Sequence, residues 1–126
     1  MRKLYKEPTN TTPKIDFNNE SGNLSISGCS LPEDSDDFFT PIFDWLQDYI
    51  QTPNTDTKFE FNFDYYNSST LRKVVEIILI LKKIQSPNTV KIMWYYDEGD
   101  ETSQENGEDI QSVIGIPMEL IEKKYE

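Results

Sequence analysis

Histidine is absent from the chain, and cysteine occurs once, at Cys29. Without histidine there is no Ser-His-Asp or Cys-His nucleophile pair and no imidazole-ligated zinc, and one thiol cannot complete a thiolate site. A single cysteine also excludes an internal disulfide, and with it the stapled framework of small secreted domains. Basic residues are scarce: 12 Lys and Arg stand against 23 Asp and Glu, for a formal net charge of −11. Nucleic acid and anionic membrane surfaces are polyanions that draw their affinity from Lys and Arg, so neither is an expected partner. The five glycines form neither a P-loop nor a dinucleotide fingerprint, and no cofactor is expected. The stretch "VVEIILILKKI" is too short and too interrupted to span a bilayer, and the opening "MRKLYKEPTNTTPK" lacks the apolar run of a signal peptide. A cytoplasmic protein is therefore expected.

What is present suits one domain with one core: 126 residues, 36% hydrophobic and 13% aromatic. Residues 1 to 13 are polar, carry Pro8 and Pro13, and are expected to be a flexible lead-in to a domain over 14 to 126. Ile15 and Phe17, then Leu24, Ile26 and Gly28, alternate with polar neighbours around "NNESGN", the pattern of a β-hairpin. Phe38, Phe39, Ile42, Phe43, Leu46 and Ile50 recur at three-and-four spacing, which predicts a helix over about 36 to 51, with Asp36 and Asp37 in its electropositive first turn. "KFEFNFDYY" reads as a strand with Phe59, Phe61, Phe63 and Tyr65 on one face. A second long helix is expected over about 69 to 85, stopped by "SPN", then the strand "TVKIMWYYD". The acidic stretch after Asp97 reads as a loop with a short helix, and "SVIGIPMELIEK" as either a last strand or a short helix. Alternation of strands and helices predicts an α/β domain, a mostly mixed central sheet of four to five strands flanked by helices.

The start of the second helix departs from the usual electrostatic rule. Helix N-termini carry roughly half a positive elementary charge and favour Asp or Glu. Here "NSSTLRK" offers three hydroxyls, Arg72 and Lys73, and no acid. Asn67 or Ser68 can cap a backbone N–H, which accounts for the hydroxyls alone. The two bases should cost up to about 1 kcal/mol in dipole repulsion. A phosphate on a serine would reverse that sign, meeting free N–H groups and lying one turn from Arg72. Ile77, Ile80 and Ile84 flank the main apolar face of this helix. The sheet and a neighbouring helix can cover that flank; a docking partner is the alternative.

The segments "LSISGCSLPEDSDDFFTPIFDWLQDYI", "FNFDYYNSSTLRKVVEIILIL" and "VKIMWYYDEGDE" with a later "ENGED" together resemble the SiaC-type regulatory phosphoproteins of bacteria, from about Pro13 to the C-terminus. The resemblance implies a STAS-like fold and a switch rather than a catalyst. It implies a partner serine/threonine kinase, a PP2C-type phosphatase, and a diguanylate cyclase bound and activated by the unphosphorylated form, with consequences for cyclic di-GMP and biofilm formation. By position, the family's phosphorylated threonine falls on Ser68, after Tyr65-Tyr66-Asn67 where the family has a Phe in the place of Tyr66. Ser69 is the second choice of acceptor, Asn67, Thr70 and Arg72 are the expected support of the phosphate, and Ile77, Ile80, Ile84 and Tyr96 the expected partner contacts. Two rivals stand beside this reading. One is a constitutive acidic adaptor whose hydroxyls are only caps. The other is a metal-dependent enzyme built on the carboxylates of 97 to 109, although neither Gly99 nor Gly107 fits the sixth place of an EF-hand loop.

Overall fold

A computed structural model describes residues 1–84 and 89–124. Its order is β1 (Leu4–Lys6), β2 (Lys14–Asn18), β3 (Asn23–Ser30), α1 (Ser35–Tyr49), β4 (Asp56–Tyr66), α2 (Ser68–Leu81), β5 (Thr89–Asp97), α3 (Glu101–Ile114) and β6 (Met118–Lys123). All six strands lie in one sheet in sequence order, antiparallel from β1 to β3 and parallel from β3 to β6. Each parallel step is closed by one helix. Because such crossovers are right-handed and here always advance in the same direction, α1, α2 and α3 all fall on one face. The strands bear this out by alternation: Ile15 and Phe17, Leu24 and Ile26, and Phe59, Phe61 and Phe63 are buried under the helices. The opposite face carries Asp16, Ser25, Lys58 and Glu60 to solvent.

The α/β class expected from the sequence is therefore correct, with six strands instead of four or five. The lead-in expected to be loose contains β1, an edge strand paired with β2 through Leu4↔Phe17. Trp45 Nε1 donates to the Arg2 carbonyl at 2.6 Å, and Leu4 packs on the core, which ties the first residues down. The ambiguous C-terminal segment is a strand, β6, paired along its whole length with β5. The stretch after Asp97 is the largest departure: the helix expected there is not a short one inside a loop but runs for 14 residues as α3. The "SPN" stop lies outside the described residues, as does Gln85.

In α1, Asp34 caps the helix by accepting the Asp37 N–H at 3.0 Å, and Phe39, Ile42 and Leu46 face inward as the spacing predicts, joined by Tyr49. Burial of each such side chain contributes about 1.5–3 kcal/mol. In β4 the alternation breaks before its end. Gly28 pairs with Phe63 but Cys29 pairs with Tyr65, so Asp64 is an extra residue in a bulge. The bulge shifts the side-chain phase by one residue. Tyr65, expected inward with the phenylalanines, points out and is 71% exposed, while Tyr66 turns in against Phe63 and Trp94.

Candidate functional site

The carboxyl ends of β4 and β5 part from one another: their pairing stops at Phe61↔Trp94, although both strands run on. α2 leaves from one end and α3 from the other, so two helix N-termini flank the gap. Asn67 Oδ1 caps α2, accepting the Thr70 N–H at 2.9 Å, and Asp100 Oδ1 caps α3, accepting the Ser103 N–H at 3.0 Å. Between them lies a cleft of about 690 Å³ lined by residues that include Asp64, Tyr65, Ser68, Leu71, Asp97 and Asp100. Ligand sites of open α/β sheets lie at this position, outside the carboxyl ends of the strands.

The three hydroxyls at the start of α2 occupy distinct environments. Thr70 is fully buried; its Oγ1 donates to the Ser30 carbonyl at 3.0 Å and pairs with Ser30 Oγ at 2.8 Å. It is a fastener between β3 and α2 and faces away from the cleft, which corrects the expectation that it supports a phosphate through its side chain. Ser69 Oγ donates to Asn67 Oδ1 at 2.8 Å, inside the cap. Ser68 is exposed, lines the cleft, and has no hydrogen bond from its hydroxyl to any described residue. Replacing Thr70 by Val should cost about 1–3 kcal/mol, because the Ser30 hydroxyl loses its buried partner. A lower urea midpoint with an unchanged slope would report it.

The bases are placed otherwise than the bare sequence implies. Lys73 is bonded to Asp36 from the first turn of α1 and lies 3.4 Å from Glu76, with its ammonium over the Phe43 ring. The acid missing from the first turn of α2 is thus supplied by α1. The hydrogen bond from Lys73, then its charge, holds the Asp36 carboxyl below its ordinary value. The same bond holds the Lys73 ammonium above its own. The pair is therefore fully charged across the neutral range. The Asp36 contribution fades as pH falls through its lowered value, and that of Lys73 as pH rises through its raised one. Arg72 is exposed and lines a neighbouring cleft with Ser69, Glu33, Asp34 and Asp36. It stands one turn from Ser68 along α2 but does not line the Ser68 cleft.

Of the expected partner contacts, Ile77 and Ile80 are 0% and 9% exposed and belong to the core, so they cannot present a surface. The flank shares its side of α2 with Lys73, which reaches Asp36 and Phe43 of α1, so α1 and the sheet cover it, the bland alternative that the amphipathic pattern left open. Ile84 and Tyr96 are half-buried and packed against the core. The apolar surface at the cleft comes instead from Tyr65 and Leu71. Tyr65 was concealed by the bulge. The cleft wall on the α3 side is fixed by Tyr66, whose hydroxyl donates to Ser103 Oγ at 3.0 Å and accepts from Asn106 Nδ2 at 2.9 Å. Carboxylates of the 97 to 109 segment are spread from the end of β5 through the turn and along α3, and among the described residues no group of three or more is placed to hold a metal ion. Among the described residues no helix is long and apolar enough to cross a membrane.

Comparison with known proteins gives one consistent result. A crystal structure of apo-SiaC from Pseudomonas aeruginosa superposes with a TM-score of 0.85 at 24% identity, covering 96% of this chain and 99% of that one. SiaC in a crystal structure of the diguanylate cyclase SiaD in complex with its activator SiaC, from the same organism, gives 0.86 at 25% identity over 95% and 99% of the two chains. An uncharacterized protein of Pseudomonas aeruginosa (strain UCBPP-PA14) is 26% identical over 121 residues, 95% of this chain and 96% of that protein. Residues 6–123 match the family described as SiaC family regulatory phosphoprotein. With nearly the whole chain inside that match, this protein belongs to the SiaC family and is a regulatory protein, not a catalyst.

Proposed function

We propose that this chain is a phosphorylation-controlled activator of a diguanylate cyclase, and that Ser68 is the residue whose state sets its activity. The observation that carries the assignment is the contrast among three adjacent hydroxyls. A kinase must reach the oxygen it modifies; Ser68 is exposed and unengaged, Ser69 is tied into the cap, and Thr70 is buried. The cyclase is supported by family membership and by the naming of SiaC of Pseudomonas aeruginosa as the activator of SiaD. A serine/threonine kinase and a PP2C-type phosphatase would set the phosphorylation state in the cytoplasm, and cyclic di-GMP with biofilm formation would be the output. One sheet face covered by helices, and an acceptor at a helix start beyond a strand end, accord with a STAS-like switch.

The mechanism is local. A phosphate on Ser68 would place close to two negative charges at the mouth of the cleft, fill room that a partner's side chain needs, and raise the desolvation cost of docking. The N-terminal N–H groups of α2 favour the added charge, so the fold is kept. The test is activation of the cyclase encoded in the same genome by wild type, Ser68→Ala and Ser68→Asp. Ala should activate as wild type does, and Asp should bind at least about tenfold more weakly, a difference of roughly 1.4 kcal/mol. Equal activation by all three, with no phosphate at position 68 in intact protein from the native host, would leave the constitutive adaptor as the better account.

A further inference from the structure

The cleft beside Ser68 has an apolar floor and an acidic rim, and the two together specify what it receives. Tyr65, at 71% exposure, and Leu71 supply the apolar surface. Asp64, Asp97 and Asp100 line the same space, and among the described residues no Lys or Arg lines it. Lys123 on β6 is the cation that reaches the rim, 3.2 Å from Asp97 and 3.9 Å from Asp64. It also donates to Asn62 Oδ1 at 2.7 Å and to the Phe63 carbonyl at 3.3 Å, so one ammonium is shared between two carboxylates and two further acceptors. Asp100 has no ion-pair partner among the described residues, and Glu101 follows it.

We infer that this cleft receives a basic side chain of a protein partner, Arg or Lys, with an apolar neighbour seated on Tyr65 and Leu71. The inference rests on reading the cleft as the docking site of the effector, and adds the chemistry of the docking segment. Charge complementarity selects the occupant. An acidic segment meets three carboxylates before any phosphate arrives, whereas a guanidinium or ammonium relieves their mutual repulsion while its stem lies on the exposed tyrosine ring. Phosphorylation of Ser68 then acts by occupancy, because the phosphate takes the space into which the basic side chain must enter.

The experiment needs no cyclase, so its outcome is separable from the Ser68 activation test. The full chain, labelled with ¹⁵N, is titrated with the peptide N-acetyl-Leu-Arg-Ala-Leu-Arg-amide and with the same peptide carrying Glu in place of Arg. The Arg peptide should move the amides of residues 64–72 and 97–106 and lose affinity as salt is raised; the Glu peptide should move neither set. The triple variant Asp64→Asn, Asp97→Asn, Asp100→Asn should weaken Arg-peptide binding about tenfold, the size expected on removing close charge partners at a rim. Asn keeps the α3 cap, and the exposed Asp64→Asn alone, with an expected weakening of roughly twofold to threefold, carries the test if the triple variant does not fold. Equal binding of both peptides, shifts confined to other regions, no shifts at all, or undiminished binding by the variants would each overturn the inference.

Discussion

Replacing Trp94 by Ala is expected to remove about 3–5 kcal/mol of stability, a large part of the roughly 5–15 kcal/mol available to a domain of this kind. Trp94 is fully buried and is the largest side chain in the core. Its ring meets Phe61, Phe63 and Tyr66 at centroid distances of 6.2, 6.1 and 5.6 Å, so truncation opens a cavity under three aromatic neighbours at once. It also donates from Nε1 to the Ser103 carbonyl at 3.0 Å, the bond by which β5 holds the first turns of α3. The cavity and the bond separate experimentally. Trp94→Phe keeps most of the ring volume and gives up the bond, so it should cost about 1–2 kcal/mol. The same variant should speed amide exchange in α3 more than in α1, since the lost contact belongs to α3 alone. A urea midpoint for Trp94→Ala within the error of wild type would mean that the aromatic cluster is not the centre of the core.

The same residues explain which parts of the fold were legible. Helix α1 was, because Phe39, Ile42, Leu46 and Tyr49 repeat at helical spacing and Asp34 to Asp37 mark its start. The start of α2 was legible for a comparable reason: Asn67 is a strong cap and "SSTL" follows it. Positions that depend on a partner in space were not. The inward turn of Tyr66 and outward turn of Tyr65 come from an extra residue in β4 opposite Gly28 and Cys29, and period-two alternation cannot show a bulge until the neighbouring strand is known. Lys73 looked unpaired because its acid, Asp36, stands 37 residues earlier on another helix. Ile77 and Ile80 looked available because a wide apolar face says how much must be covered and not by what. β1 was hidden by its length: three residues among polar neighbours carry no period. At the candidate site, the conflict between helix-start electrostatics and sequence pointed to the hydroxyl cluster after Asn67, and the resemblance to the SiaC-type family singled out Ser68 within it. Asp64, Asp100 and Leu71 became part of it only when the strand ends were seen to part.

Gly107 is the residue that most obscured α3, and it yields the second large effect. In an exposed helix interior, Gly to Ala stabilises by about 0.5–1 kcal/mol, since Ala has less backbone freedom to lose. Here the sign should reverse. A Cβ built on Gly107 would lie 2.6 Å from Trp94 Cδ1 and 2.8 Å from Leu120 Cδ2, closer than carbon atoms approach. The half-buried Leu120 side chain can rotate aside, but Trp94 is not free to withdraw: it is fully buried and fixed by its bond to Ser103 and its aromatic contacts. The helix must therefore rise off the sheet, and Gly107→Ala should cost about 1–3 kcal/mol, the usual range for overpacking. Glu108→Ala, one residue on and exposed, is the control and should change stability by less than about 0.5 kcal/mol. The functional consequence follows from the same geometry. Lifting α3 displaces Asp100 and Ser103 at its start and strains the Tyr66 hydroxyl bond to Ser103, so one wall of the Ser68 cleft moves while Ser68 itself, on α2, stays. Under the function proposed above, Gly107→Ala should accordingly weaken cyclase activation without altering the exposure of the Ser68 hydroxyl. A variant as stable as wild type, or more so, would show that helix propensity outweighs the contact and that α3 sits farther from Trp94 than these distances place it.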